Sequence, residues 1–253
     1  MIEENDLKRY DSWNKHHALH GTTELIPAAT VVILRDQEQG LEVLMLRKNS
    51  KIAFGGAWVF PGGRIDPEDQ VTGADGSVDD LATASAAAAR EAAEEADITV
   101  DAENLVWFAH WTPPPITPKR YATFFLAARS ATGNAGEVAI DHGEITEHEW
   151  MRPQDALTRR DQGGIELVVP TWMTLTLLTR FTNVDQALVA LDDMDPIFYL
   201  THMARTDNGP VAMWEGDAGY EATDPSILGT RHRLTLGKER FVFEQTTDSR
   251  PAA

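Results

Sequence analysis

The sequence predicts an α/β fold in which helices cover a mixed β-sheet, and three observations predict it. Apolar, β-branched runs come first, an Ala/Glu-rich helical stretch follows, and further strands lead to a second helical stretch. Of the 253 residues, 42% are hydrophobic and 25% charged, which is ordinary globular composition. At about 100–200 residues per domain, the length allows one large domain or one domain with a substantial extension.

The elements follow in chain order. Residues 1–25 are polar and read as a helical or irregular segment at the edge of the fold. AATVVILR (28–35), the turn-like DQEQG and LEVLMLR (41–47) read as a β-hairpin. Ala57-Trp58-Val59-Phe60 continues as a strand into the turn Pro61-Gly62-Gly63, where glycine permits positive φ and close backbone approach. Residues 66–80 are acidic and read as a loop. LATASAAAAREAAEEAD is nearly all strong helix formers, so a helix is expected over 78–96, with Ser77 and Asp80 as a capping box. LVWFAHW (105–111) and RYATFFLAA (120–128) read as strands around the stiff bend TPPPITP, and 147–152 as a shorter one before a helix opening at Pro153. Beyond Gly163 the character shifts. Trp172, Leu175, Leu178 and Phe181 recur every three residues as an amphipathic helix, while 197–203 and the hairpin within 232–244 read as strands. The expected organisation is a polar segment (1–25), a core domain (26–162) and a packed α+β extension (163–253), with no Ser- or Pro-rich linker between them.

Charge and composition exclude several classes. Forty acidic against 22 basic residues leave a net charge of −18, which argues against a nucleic-acid scaffold as partner. With no cysteine there are no disulfides, thiolate metal sites or Cys nucleophiles. No apolar run approaches the ~20 residues of a membrane helix, and no secretory signal is visible, so a cytoplasmic protein is expected. The acid excess is local. Residues 61–104 hold 12 Asp or Glu and two Arg, net −10.

That acidity centres on Arg90-Glu91-Ala92-Ala93-Glu94-Glu95. On a helix, Glu91, Glu94 and Glu95 fall within about a 100° arc, where like charges cost a few tenths of a kcal/mol per i,i+4 contact. A solvated acidic face eased by the Arg90–Glu94 pair is one reading. A stripe for a divalent cation, which favours carboxylate oxygens, is the other. Alanines 86–89 favour close packing of this helix on a sheet. His16, His17 and His20 contain an i,i+4 pair without a third ligand nearby, better read as a polar helix face. Arg231-His232-Arg233 reads as a charged strand edge rather than an anion contact. Trp111, Lys119 and Arg120 could stack on a base and pair with phosphate, or equally be core and strand-start residues.

Taken together, Phe60-Pro61-Gly62-Gly63 and Arg90-Glu91-x2-Glu94-Glu95 resemble the Nudix hydrolase family, whose box runs G-x5-E-x7-R-E-U-x-E-E-x-G-U with U aliphatic. Gly63 matches the first glycine; Arg90, Glu91, Glu94, Glu95 and Ile98 match the second half. Three departures stand out. The first glutamate is Asp69, with Glu68 one position off register; 20 residues rather than seven separate Asp69 from Arg90, an insertion of 13; and the late glycine is Asp97, with Ala92 at the first aliphatic position.

The resemblance implies a Nudix-type α/β/α sandwich that hydrolyses the diphosphate of a nucleoside diphosphate linked to another moiety, using Mg²⁺ or Mn²⁺. It implies Glu94 and Glu95 as metal ligands, Glu91 as ligand or general base, Arg90 as the residue that orients the glutamates, and Gly62 and Gly63 as the loop at the substrate. Asp69 would stand for the box's first glutamate, and Glu144 for the further glutamate such enzymes recruit from a later loop. The insertion and Gly56-x3-Phe60-Pro61-Gly62-Gly63 are also similar to coenzyme A diphosphatase-type members, although Ile52 stands where their motif has arginine. A homodimer through the extension, and a Nudix-fold binding protein without hydrolysis, complete the expectations.

Overall fold

A computed structural model describes residues 3–49, 55–130, 138–140, 142–237 and 240–246. Ile52, the departure from the coenzyme A-type motif, lies outside them. The chain folds as two compact units. One comprises Ile26–Trp111 and Tyr121–Phe198; the other comprises Met1–Leu25, Thr112–Arg120 and Tyr199–Ala253.

In the first unit, β1 (Leu25–Gln37) and β2 (Gly40–Lys48) pair antiparallel from Leu34↔Val43 to Gln37↔Gly40, as the hairpin pattern predicts. Residues 28–34 of β1 are buried without a break, because both faces are covered. β3 (Ala57–Val59) pairs β2. Residues 62–64, expected only as a turn, form the short strand β4 (Gly62–Arg64) along β1, with Ala29 opposite Gly63. β5 (Val106–Thr112) and β6 (Arg120–Arg129) are antiparallel, and β7 (Ile145–Met151) lies along β2. Across the sheet the order is β8-β3-β2-β1-β6-β5-β9, where β8 (Glu166–Leu167) pairs β3 in parallel and only Ile197–Phe198 of β9 (Ile197–Leu200) belong to this unit. The sheet is therefore mixed.

The long helix α2 (Asp80–Ala96) packs its alanines Ala84, Ala87, Ala88, Ala92 and Ala96 onto one face of the sheet, against Ala29, Val31, Leu44 and Leu46. Small side chains let the helix axis approach the strands closely, as the run of alanines predicts. Its cap is not the expected Ser77–Asp80 box. Asp79 caps it, accepting from Ala82 N at 2.9 Å, while Ser77 turns back to Asp75.

Residues 163–198, grouped with the extension at the sequence level, fold within the sheet's own unit. β8 adds to the sheet, α3 (Pro153–Asp161) packs on α4 (Val169–Leu178), and Asp36 on β1 takes the first N–H of α5 (Val184–Asp192). Phe181 lies beyond α4.

In the second unit, α1 (Glu3–His20) carries the polar N-terminal segment. An antiparallel sheet orders β10 (His202–Thr206), β11 (Gly209–Met213), β12 (His232–Leu236) and β13 (Phe241–Gln245); its last pair is the expected hairpin. Arg233, expected at a charged edge, is instead buried in a two-pronged pair with Asp217 at 2.6 Å on each prong.

Candidate active site

The site begins where β3 turns into β4. Pro61 O accepts from Thr30 Oγ1 (2.6 Å) and Val31 N (3.0 Å), which pins the turn to β1. Neither Gly62 nor Gly63 has positive φ; the glycines serve close approach alone. A Cβ on Gly62 would fall 2.6 Å from Ala29 O and Thr30 Cβ, and one on Gly63 would fall 2.6 Å from Cδ of Glu91. Glycine thus leaves room for the Glu91 carboxylate to lie against the backbone.

Along α2 the three glutamates are graded rather than equivalent. Glu95 is 4% exposed, facing inward beside Ala92 and Ala96, and accepts from Gly62 N at 2.9 Å. Glu91 is half-buried, and Glu94 keeps 59% of its side chain in solvent. Burial raises the pKa of Glu91 despite Arg90, and pushes Glu95 up to about 7 although Lys48 and Gly62 N–H oppose the shift. Two carboxylates held out of water with incomplete compensation make an environment that favours a cation.

Arg90 organises the rest, using all five N–H groups. Nε and Nη2 grip Asp69 at 2.9 Å each, Nη2 also donates to Arg64 O (3.0 Å), and Nη1 donates to Glu91 and Glu94, both at 2.9 Å. Asp69 ends a 3₁₀ turn (Pro67–Asp69) and is buried, whereas Glu68 is exposed, so Asp69 is the acid that meets Arg90. Hydrogen bonds from Arg90 lower the Asp69 pKa and outweigh its burial.

The segment between Asp69 and Arg90 does not separate the two because it closes on itself. Asp79 N bonds Val71 O (2.9 Å), Thr72 bridges Val78, and Val71 N bonds Thr83 Oγ1 (3.0 Å) on α2. Tied ends convert added length into a surface loop. Asp97, where the family pattern has glycine, adopts φ +54° just past α2, with its N–H on Ala93 O and Ile98 N on Ala92 O. The conformation is the left-handed helix stop that glycine favours, and aspartate is among the few residues that tolerate it.

Sequence reasoning missed Lys48. Its Nζ lies 3.4 Å from Glu95 Oε1 and 4.0 Å from Glu144 Oε2, so it bridges α2 to the loop before β7. The period-two pattern of Leu44 and Leu46 toward α2 points to it. Glu144, 64% exposed at its side chain, stands at the rim of the site through that lysine. Glu147 is drawn away to Arg47.

Two expected substrate residues are taken up in packing and hydrogen bonding. Trp111 is buried beside Phe125. Arg120 is buried too, its guanidinium donating to Thr23 O (3.1 Å) and Pro113 O (3.2 and 3.3 Å), which commits all three of its nitrogens to backbone carbonyls. Of the histidines, the His16 and His20 rings touch at 4.6 Å and His17 meets Thr22. Among the described residues no group of three or more His, Asp or Glu side chains is gathered for a metal ion, since Arg90 draws Glu91 and Glu94 to itself while Glu95 turns to Gly62. The donor set nevertheless fits a hard divalent cation, being carboxylate oxygens without sulfur.

The sequence matches the NUDIX domain over residues 24–170. The chain belongs to this family. Hydrolysis of diphosphate bonds is the reaction class that goes with it, and small molecules are its substrates. A NUDIX hydrolase from Alicyclobacillus acidocaldarius shares the fold, with TM-score 0.55 and 24% identity over 66% of this chain and 96% of that one. A C. elegans Ap4A hydrolase (TM-score 0.39, 24% identity, 61% and 96% covered) and the NUDIX domain of Shewanella oneidensis NrtR complexed with ADP ribose (0.45, 16%, 66% and 94%) are also similar. No curated protein matches. Among the described residues no helix is long and apolar enough to cross a membrane.

Proposed function

We propose that this Nudix chain hydrolyses the diphosphate of a nucleoside diphosphate linked to another moiety, with Mg²⁺ or Mn²⁺ held by Glu91, Glu94 and Glu95. The observation that carries the reading is the pair of half-buried Glu91 and buried Glu95, packed on the Gly62–Gly63 backbone with raised pKa values. A bound divalent cation would supply neutralisation of diphosphate oxygens and a more acidic attacking water. The chain's own residues do the positioning. Arg90, clamped by Asp69, holds Glu91 and Glu94; Gly62 N–H holds Glu95; Lys48 moderates the negative field between Glu95 and Glu144. Glu91 serves as ligand or general base, and Glu144 is the rim carboxylate that assists. The second reading is a coenzyme A or acyl-coenzyme A diphosphatase, supported by the box insertion and by Gly56-x3-Phe60-Pro61-Gly62-Gly63. Residence in the cytoplasm and a homodimer through the C-terminal part belong to the same proposal.

The test is turnover of ADP-ribose, NADH, dinucleoside polyphosphates, nucleotide sugars and coenzyme A with Mg²⁺, scored by phosphorylated products. Glu94→Gln and Glu95→Gln should each lower the rate at least ~10²-fold without unfolding the protein. Binding without turnover across the panel would favour a ligand-binding protein and overturn the enzymatic reading.

A further inference from the structure

The last turn of α2 is acidic at the end where a helix favours cations. It carries Glu94 and Glu95 and no basic residue, so two carboxylates add to the negative end of the helix dipole. The cation that faces Glu95 comes from another element. Lys48 ends β2 on the face that Leu44 and Leu46 turn to α2, and its side chain is 15% exposed.

The same strand end grips the loop before β7. Asn49 N donates to Glu144 O (2.7 Å), and Asn49 Nδ2 donates to Gly143 O (3.0 Å). The β2–β7 register slips by one residue between Arg47↔Glu147 and Lys48↔Ile145, which leaves Thr146 as the extra residue of a bulge. Bulges re-aim the side chains next to them. This one sets Ile145 opposite Lys48 and brings Glu144 within its reach. Lys48 Nζ lies 3.4 Å from Glu95 Oε1 and 4.0 Å from Glu144 Oε2, so one positive charge stands between carboxylates of two elements. Both distances are long for a charged hydrogen bond. A lysine ammonium is also a compact charge on a flexible stem, unlike the planar fork of Arg90.

We propose that Lys48 is an exchangeable internal counter-cation, which joins Glu95 to Glu144 in the metal-free chain and yields both carboxylates to a divalent ion. The inference rests on the metal reading above and adds a control to it, because Lys48 then sets how much cation the site needs. A purely structural lysine would stabilise the metal-free and loaded protein alike. An exchangeable one stabilises the metal-free protein alone, and by linkage it weakens metal binding by the same factor.

The test is Mn²⁺ affinity by electron paramagnetic resonance at pH 8.5 for wild type, Lys48→Met, Lys48→Gln and Lys48→Arg. Both neutral variants should bind Mn²⁺ roughly tenfold more tightly, since a unit charge beside the binding oxygen repels a divalent ion. Lys48→Arg keeps the charge and should show no gain. Thermal unfolding supplies a second readout. In chelator Lys48→Met should unfold about 3 °C below wild type, and excess Mg²⁺ should close that gap. Unchanged or weaker Mn²⁺ binding in the neutral variants overturns the exchange, as does a gap that persists in Mg²⁺. Lys48→Gln carries the same comparison if Lys48→Met does not fold. Absence of Mn²⁺ binding in wild type would sink the metal reading and this inference with it, an outcome distinct from equal binding in all four proteins.

Discussion

Two arginines in this chain hold buried carboxylates, and they do so to opposite ends. In the second unit Arg233 grips Asp217 with Nε and Nη2 and donates Nη1 to Pro225 O, and the N–H groups of His232 and Gly219 add to the carboxylate. Burial would raise the Asp217 pKa, but these partners hold it at about 2. In the first unit Arg90 spends two of its five N–H groups on Asp69 and divides the rest among Glu91, Glu94 and Arg64 O, leaving Glu95 to Lys48 and one backbone N–H. There the pKa values of Glu91 and Glu95 rise. A satisfied buried pair serves the fold. A buried carboxylate group short of positive charge is a functional site in waiting, because a ligand can supply what the fold withholds.

The contrast is testable at three magnitudes. Asp217→Asn leaves Arg233 buried beside a neutral amide, and it should destabilise the second unit by about 3–5 kcal/mol in urea unfolding. A loss under 1 kcal/mol would mean that the pair is not what holds that region. The two sites should also respond to pH with opposite sign. Glu95, raised from 4.5 to about 7, favours folding when protonated. Without metal, stability should therefore fall as pH rises from 4.5 to 7, by on the order of 3 kcal/mol, and Mg²⁺ should recover it. Asp217, lowered from 3.8 to about 2, contributes stability above pH 3.8 that is lost as pH falls toward 2, about 2 kcal/mol. Urea midpoints from pH 2 to 8 in chelator, for wild type, Glu95→Gln and Asp217→Asn, check both slopes; a wild-type profile unchanged in Glu95→Gln would remove the contrast. The smallest effect is expected at Asp97. Its left-handed backbone suits glycine, so Asp97→Gly should raise stability by roughly 0.5–1 kcal/mol in thermal unfolding.

Much of this was legible in the sequence, for physical reasons. Continuous β-branched runs mark strands buried on both faces, and Arg90 with three glutamates at helical spacing marks one stripe whatever the tertiary contacts. The grading of that stripe was not legible, since Glu95 looks like Glu94 until the helix is docked on its alanine face. Arg120 and Trp111 were ambiguous because residue type does not reveal whether donors are consumed by carbonyls such as Thr23 O and Pro113 O. Lys48 required knowing which face of β2 meets α2. Asp217 and Arg233 stand 16 residues apart with no local pattern to join them.

The central claim is that the α2 stripe binds a divalent cation, and Mn²⁺ titration followed by electron paramagnetic resonance tests it without assuming a substrate. Wild type should bind Mn²⁺ with an affinity that drops at least tenfold in Glu95→Gln and further in Glu94→Gln/Glu95→Gln, with Asp217→Asn unchanged. Equal Mn²⁺ affinity in wild type and the double variant would contradict the assignment.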